Sequence, residues 1–380
     1  MALKPPLIMI AGAKGAVGST TAAAVATLAG AGSEVMPWLT FNHWLQGPDH
    51  IDMIRISGWD VSPLSIMESL SFHKVLPKRK YLAHEEFINN TPIRCAPSSD
   101  ATLKEQVEII TRDMASFRAM YPENAPVLVN LLPAKRQMHC QEPEDINALY
   151  CLPDLASFHD LAYVLAAIRS GVPVVNFTSN TVEMHSIVHQ ALQAGVPMCG
   201  RDGKTGQTYL KVVLASAMKA RSLRIDGWYS LNILGNEDGR NLSDPSRSAG
   251  KLANKTELLD AILGYQVGER YDAPAHKVTI DYYPPRGDSK EAWDVIDFTG
   301  IFDMPMSLRL NLQARDSILA APMVVDLAFW MTALHESGLS GLVPGLGFYF
   351  KKPLGNASPM TFQEQVAGLQ ALANELGRTG

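Results

Sequence analysis

Cysteine is scarce in this chain: there are four in 380 residues, Cys95, Cys140, Cys151 and Cys199, and none forms a Cys-x-x-Cys pair. This excludes a disulfide framework and the paired-cysteine zinc sites, which need two close pairs to complete a tetrahedron. His139 and Cys140 with Cys151 offer nominal ligands but no second pair, so four reduced thiols are expected. A basic surplus is also missing. Lys and Arg number 33 against 38 acidic residues, a net charge of −5. That excludes a general nucleic-acid binder and leaves room for local basic pockets. No apolar run approaches the about 18 residues of a membrane span. The opening apolar stretch, residues 7–13, is short and runs into a glycine loop, unlike a secretory leader. A cytoplasmic protein without membrane or nucleic-acid partners is expected.

What is present is a globular chain, 47% hydrophobic and 19% charged, long enough for two domains or for one with a large insertion. Pro6–Ala11 is a compact apolar run of the kind buried in a parallel sheet. A glycine loop follows it, and then an Ala- and Thr-rich helix from Ser19 to Gly30. Residues 32–40 read as the second strand. Ala125–Asn130 and residues 172–176 read as further parallel strands, separated by helices at Leu103–Met120 and residues 155–170. This alternation predicts an α/β fold of Rossmann type, a doubly wound parallel sheet. From Gly200 the texture changes. Residues 223–232 and 277–283 have the alternation and aromatic content of strands, with helices predicted at 209–219 and 255–263. From about Asn311 the chain turns helical and apolar. The resulting division is a nucleotide-binding domain over 1–198, an inserted α+β domain over 199–307, and a helical return over 308–380 that packs on the first.

The glycine loop, Gly12, Lys14, Gly15, Ala16, Val17 and Gly18, is a GxxGxxG variant of the dinucleotide fingerprint. Its glycines allow close backbone approach to a pyrophosphate at the following helix N-terminus. Alone, such a loop is equally a simple turn. The predicted second strand lacks the terminal acid that would hold a ribose, and Asp60 is the substitute candidate. Asn130 and Asn176 both end strands at the carboxyl edge of the sheet, where open α/β folds bind ligands, although asparagine also caps turns.

The most informative feature is a set of lysines in short polar segments between Gly200 and Lys352. Lysine is a compact charge suited to phosphates and to developing oxyanions. Thr205, Gly206, Gln207 and Thr208 precede a predicted helix and form a phosphate cradle or a plain helix cap. Lys251 and Lys255 are four apart, so on a helix they share one face, where like charges repel unless an anion or solvent intervenes. Asp202, Asp238 and Asp288 add carboxylates able to orient lysines or hold a cation.

These segments resemble the inositol-phosphate synthase family, compact prokaryotic branch. Asp202-x-Lys204-Thr205-Gly206-Gln207-Thr208 resembles its D-x-K-[ST]-G-Q-T. Asn232-x-Leu234-Gly235-Asn236-x-Asp238-Gly239-x-Asn241-Leu242-Ser243 resembles N-x-L-G-N-x-D-G-x-N-L-S, followed by Lys251 and Lys255 at the family spacing. Gly287-Asp288-Ser289-Lys290-x-Ala292-x-Asp294, then Asp316-Ser317-x-Leu319-Ala320-x-Pro322, then Phe350-Lys351-x-Pro353, complete the series in order. The resemblance implies an isomerase that recycles bound NAD. It would oxidise C5 of glucose 6-phosphate, enolise by removing a C6 proton, close C6 onto C1, and reduce C5 to give myo-inositol 1(3)-phosphate. It implies Lys251, Lys255, Lys290, Lys351 and Asp202 as catalytic groups. Thr205, Gly206, Gln207, Thr208, Asn232, Leu234 and Asn236 would bind substrate. The glycine loop, Asp60, Asn130, Asn176, Asp288, Asp316 and Ser317 would bind cofactor. It further implies a homotetramer built through the middle domain, and leaves a divalent or monovalent cation as an open requirement. The alternatives are a related cyclitol-phosphate synthase acting on another hexose phosphate such as fructose 6-phosphate, a non-catalytic NAD-binding sensor, and a plain dehydrogenase, for which the lysine set has no use.

Overall fold

The computed structural model describes residues 3–31, 39–45, 51–135, 146–150, 152–242, 258–355 and 360–377. The chain opens with β1 (Pro6–Ala11), α1 (Ala16–Ala31), β2 (Arg55–Asp60), α2 (Ile66–His73), α3 (Glu85–Asn89), β3 (Ile93–Cys95), α4 (Leu103–Met120) and β4 (Ala125–Asn130). It continues through α5 (Ile146–Tyr150), α6 (His159–Arg169), β5 (Val174–Asn176), α7 (His185–Gln193) and β6 (Pro197–Gly200). The middle holds α8 (Gln207–Ala220), β7 (Arg224–Leu234), α9 (Glu237–Leu242), α10 (residues 258–263), β8 (His276–Tyr282), β9 (Lys290–Thr299) and β10 (Met306–Ala314). The chain then closes with α11 (Asp316–Glu336), β11 (Gly341–Leu342) and α12 (Phe362–Glu375).

Seven parallel strands form the first sheet in the order β11-β6-β5-β4-β1-β2-β3. Apart from the added β11, this is the 3-2-1-4-5-6 order of dinucleotide-binding folds, with its switch point between β1 and β4. All six residues of β1 are buried, because both faces of the sheet are covered. One core packs α1 and α11 against it, and the other packs α4 and α6. Local signals fix several helix starts. Ser65 with Glu68, Thr102 with Glu105 and Thr361 with Glu364 form reciprocal capping boxes at α2, α4 and α12, each satisfying N–H groups that a helix start leaves unpaired.

The second sheet has the order β10-β9-β7-β8, antiparallel except between β7 and β8. Its covered face packs on α8 and α10 through Val212, Ala215, Trp228, Leu259, Ile262 and Ile296. On the sheet also lie Tyr229 and Trp293, 45% and 50% exposed.

The structure corrects the sequence reading in three places. The strand beside β1 is Arg55–Asp60. Of the stretch predicted there, residues 32–38 lie outside the described residues and Thr40 begins a short 3-10 turn, Thr40–His43. An apolar-run criterion passes over β2 because a glycine sits inside it and polar residues flank it. That glycine is required: a Cβ on Gly58 would lie 2.2 Å from the Ile10 carbonyl oxygen. Second, residues 311–314 are strand, and the helix begins at Asp316. Third, the predicted helix over 155–170 starts only at His159, after the 3-10 turn Pro153–Ser157.

α11 is, by length and composition, long and apolar enough to cross a membrane, against the reading from apolar runs. In this fold it is a core helix, 78% buried over its apolar window. Its one carboxylate near mid-length, Asp326, accepts hydrogen bonds from the backbone N–H groups of Thr40 and Phe41. Burial raises its pKa to about 7.

Gly58→Ala is expected to destabilise the protein by about 1–3 kcal/mol or more, because the obstructing atom is backbone and cannot rotate away. Urea unfolding of the two proteins checks this, with an unshifted midpoint as the contrary result.

Candidate active site

Two loops meet at the carboxyl ends of β1 and β2, at one end of the candidate site. Gly12 leaves β1 with φ +88°, donating its N–H to the Trp59 carbonyl at 2.9 Å. A Cβ on Gly18 would sit 2.6 Å from the carbonyl oxygens of Gly12 and Ala13, so the loop folds this tightly only with glycine there. Gly15, Ala16 and Val17 lead into α1, whose first-turn N–H groups have no helical partner. Asp60, at the tip of β2, accepts from the Lys14 backbone N–H at 2.7 Å and from Ser62 N–H at 2.8 Å. Asp60, the candidate named from sequence, thus ends β2, the position at which dinucleotide-binding folds carry an acid. The Lys14 ammonium donates to the Ser62 carbonyl at 2.7 Å, inside the protein rather than toward a phosphate.

The lysine end is assembled by backbone pairing. Residues 200–204 and 349–354 run antiparallel. Arg201 N–H donates to Lys352 O at 2.8 Å, Lys351 N–H to Asp202 O at 2.7 Å, and Lys204 N–H to Tyr349 O at 2.8 Å. The same segment is stitched to the loop after β5 by Asp202 N–H to Thr178 O and Gly203 N–H to Phe177 O. Gly203 cannot be replaced there, since a Cβ would lie 2.2 Å from the Phe177 ring. This pairing brings Lys351, 149 positions away in sequence, to within 2.7 Å of the Asp202 carboxylate.

Next to that ion pair, Asp316 accepts from the Thr205 hydroxyl at 3.0 Å and from the Lys290 ammonium at 3.2 Å. Burial alone would raise the Asp316 pKa, but the charges of Lys290 and Lys351 outweigh it and hold the carboxyl below its ordinary value. Thr205 is thus tied to Asp316, and α8 begins at Gln207 behind Gly206 with no side-chain cap. Asp288 accepts from Asn236 at 3.2 Å and Ser317 at 3.4 Å, and burial raises its pKa. Asn236 also accepts from Gly239 N–H at 3.1 Å, capping α9. Leu234 ends β7, 7% exposed.

Asn232, on β7 between Ile280 and Ala292, is 1% exposed. Among the described residues neither its Nδ2 nor its Oδ1 has a hydrogen-bond partner. An amide buried without partners costs about 1–3 kcal/mol for each group left unpaired.

Asn130 ends β4 at the switch point and Asn176 ends the neighbouring β5, but their side chains turn inward. Asn130 donates to Asp160 at 2.8 Å and to Asn176 at 3.3 Å, Asn180 donates to Asp160 at 2.9 Å, and Asn176 donates to the Asn180 carbonyl at 2.8 Å. Asp160 and Asn180 were not legible as site neighbours, because their placement depends on which loop ends meet. Lys251 and Lys255 lie outside the described residues, as do His139, Cys140 and Cys151. Cys199 is buried and Cys95 exposed, both free. Among the described residues no group of three or more His, Cys, Asp or Glu is placed to hold a metal ion.

Lys204 belongs to the same motif but points away from these groups. It is 3% exposed and donates to Gln365 Oε1 at 2.5 Å and to the Gly347 carbonyl at 3.3 Å. Burial lowers its pKa from 10.5 to about 7. Between those values the unfolded chain binds a proton there that the folded chain does not, so this group's contribution to stability rises with pH. In denaturant unfolding from pH 7 to 10, the stability of the native protein relative to Lys204→Met should therefore increase. A constant difference is the contrary result.

A family model described as myo-inositol-1-phosphate synthase matches residues 206–317. The chain is 32% identical over 328 residues to inositol-3-phosphate synthase 1 of Bacteroides thetaiotaomicron, covering 79% of this chain and 75% of that protein. It is 27% identical over 302 residues to the inositol-3-phosphate synthase of Sesamum indicum, where the match spans 73% of this chain and 59% of the relative. Among solved structures, inositol-3-phosphate synthase of Caenorhabditis elegans superposes with a TM-score of 0.82 at 18% identity, covering 98% of this chain and 86% of the other. A myo-inositol-1-phosphate synthase-related protein of Thermotoga maritima gives 0.77 at 20% identity, covering 99% of each. At those identities the likeness is one of fold. On the Bacteroides match, which covers most of both proteins, the chain belongs to the inositol-3-phosphate synthase family and is an enzyme of that type, an isomerase.

Proposed function

We propose that this enzyme converts glucose 6-phosphate to myo-inositol 1(3)-phosphate, using NAD that is reduced and reoxidised within one turnover. The observation that carries the reading is Asn232, whose buried amide has no partner among the described residues and so is free to meet the hydroxyls of a sugar. It belongs to the middle segments that supply Lys290 and the α8 N-terminus.

The residues present fit a dinucleotide. A Cβ would collide at Gly18, Gly12 takes a positive φ, and Asp60 ends β2 as the ribose acid, which favours NAD over its 2′-phosphorylated form. When bound, NAD would supply the acceptor, and then the donor, of the hydride exchanged at C5. Gly206, Gln207 and Thr208 open α8, whose unpaired N–H groups and dipole suit the substrate phosphate. Lys290 and Lys351 are held at their carboxylates. There they offer fixed positive charge to the C5 oxygen as it becomes a ketone and then an enolate, and they carry the proton taken from C6. Asp316 keeps Lys290 and Thr205 in register. Asn232 orients the sugar hydroxyls. Lys251 and Lys255 join this set by family spacing. The exposed Tyr229 and Trp293 support a homotetramer joined through the second sheet.

Purified protein with catalytic NAD and glucose 6-phosphate should give inositol phosphate by phosphorus and proton NMR without accumulating NADH. Lys290→Ala should lower turnover about a hundredfold or more while NAD still binds. Conversion only of fructose 6-phosphate, net NADH formation, or full turnover by the variant would each overturn the assignment.

A further inference from the structure

Beneath the first turn of α8 lies a buried polar cluster centred on Asp294, which is 2% exposed. Its Oδ1 accepts from the Trp228 indole N–H at 2.7 Å and from the Ser230 hydroxyl at 2.5 Å. Its Oδ2 accepts from the Gln207 amide at 2.9 Å. One turn along α8, the Lys211 ammonium reaches Ser230 at 3.1 Å and His276 Nε2 at 2.6 Å. Because an ammonium can only donate, His276 accepts through Nε2.

A carboxylate can only accept, so Asp294 fixes which way the Gln207 amide faces: its NH2 points into the protein. Gln207 is itself 3% exposed. Its side chain is therefore an anchor, and the backbone N–H groups of the turn it begins are what a bound anion can reach. Gly206 adds no side-chain cap to hold that turn. We propose that Asp294 is a positioning residue of the phosphate cradle, acting through Gln207 to fix the first turn of α8 on the second sheet so that its N–H groups stay aimed at the anion. This rests on the cradle reading given under the proposed function.

The test compares Asp294→Ala, Asp294→Asn, Gln207→Leu and the Ala/Leu double variant in the full-length protein. Hydrogen–deuterium exchange of the peptide spanning residues 205–211 and calorimetric binding of glucose 6-phosphate and of NAD, each to protein freed of NAD, are the readouts. Asp294→Ala should speed exchange in that peptide. It should also weaken glucose 6-phosphate by about ten- to a hundredfold, the range for losing a hydrogen bond to a charged group, with NAD affinity unchanged. The double variant should be no weaker than either single one, because the two residues act through one link. Asn at 294 keeps an oxygen for Trp228 and Ser230 and offers its NH2 to a rotated Gln207 amide, so Asp294→Asn should recover most of the slow exchange and affinity.

Three results would overturn the proposal: unchanged exchange in Asp294→Ala, parallel loss of NAD and sugar-phosphate affinity, or additive effects in the double variant. Protected exchange in the wild type with no binding of glucose 6-phosphate or inorganic phosphate would also refute Asp294 as a part of a phosphate cradle. That outcome would assign the failure to the cradle reading, since the exchange data report the anchor independently of any ligand.

Discussion

The site depends on one backbone pairing, residues 200–204 against 349–354. It joins the end of β6, in the first sheet, to a segment lying between β11 and α12, and it leaves little freedom to either partner. Gly203 is pressed against the Phe177 ring, and the N–H groups of Arg201, Asp202, Gly203 and Lys204 all find carbonyls on Lys352, Thr178, Phe177 and Tyr349. Asp202 takes φ +62° within this pairing, so residues two apart do not share one side as they would in a regular strand, and one pairing serves two ends. Asp202 meets Lys351 on one side of it. Lys204 reaches back to Gln365 of α12 on the other.

The charges held there are poorly explained as stabilisers of the fold. Ion pairs with little exposed surface, such as Lys351 with Asp202 at 15% and 7%, do not reliably repay the desolvation of both partners. Asp316 is shared by a threonine and a lysine, and Asn232 is left without any partner among the described residues. Polar groups held in this way suit a ligand that brings its own phosphate and hydroxyls. The carboxyl edge of the first sheet contrasts with this. There Asp160 gathers Asn130 and Asn180, while Asn176 links to both asparagines. That cluster fixes the loops after β4 and β5 and leaves its amides little capacity to contact a nucleotide directly.

Much of this was legible from local pattern. β1 and β4 are continuous apolar runs, α4 carries its capping box in Thr102 and Glu105, and the glycine loop stands between a strand and a helix, so each announces itself within a few residues. β2 did not, because Gly58 is required by the closeness of the Ile10 carbonyl rather than by hydrophobicity. Its misplacement left Asp60 as only a substitute candidate for the ribose acid, without the strand end that gives it that position. Lys211 carried a usable signal. It lies four residues after Gln207 and thus on the same face of α8, yet nothing local shows that this face is buried.

The sequence by itself determined the alternation of strands and helices, the glycine turn, and the chemical types gathered in the motifs, because propensity, periodicity and spacing act over short distances. Only the tertiary structure decided which of those groups meet. Whether Lys351 faces Asp202, whether Asn130 points to a ligand or to Asp160, and whether Gln207 binds or anchors depend on contacts between segments far apart in the chain. Such contacts are fixed by packing and by the pairing of buried polar groups, which no local window contains.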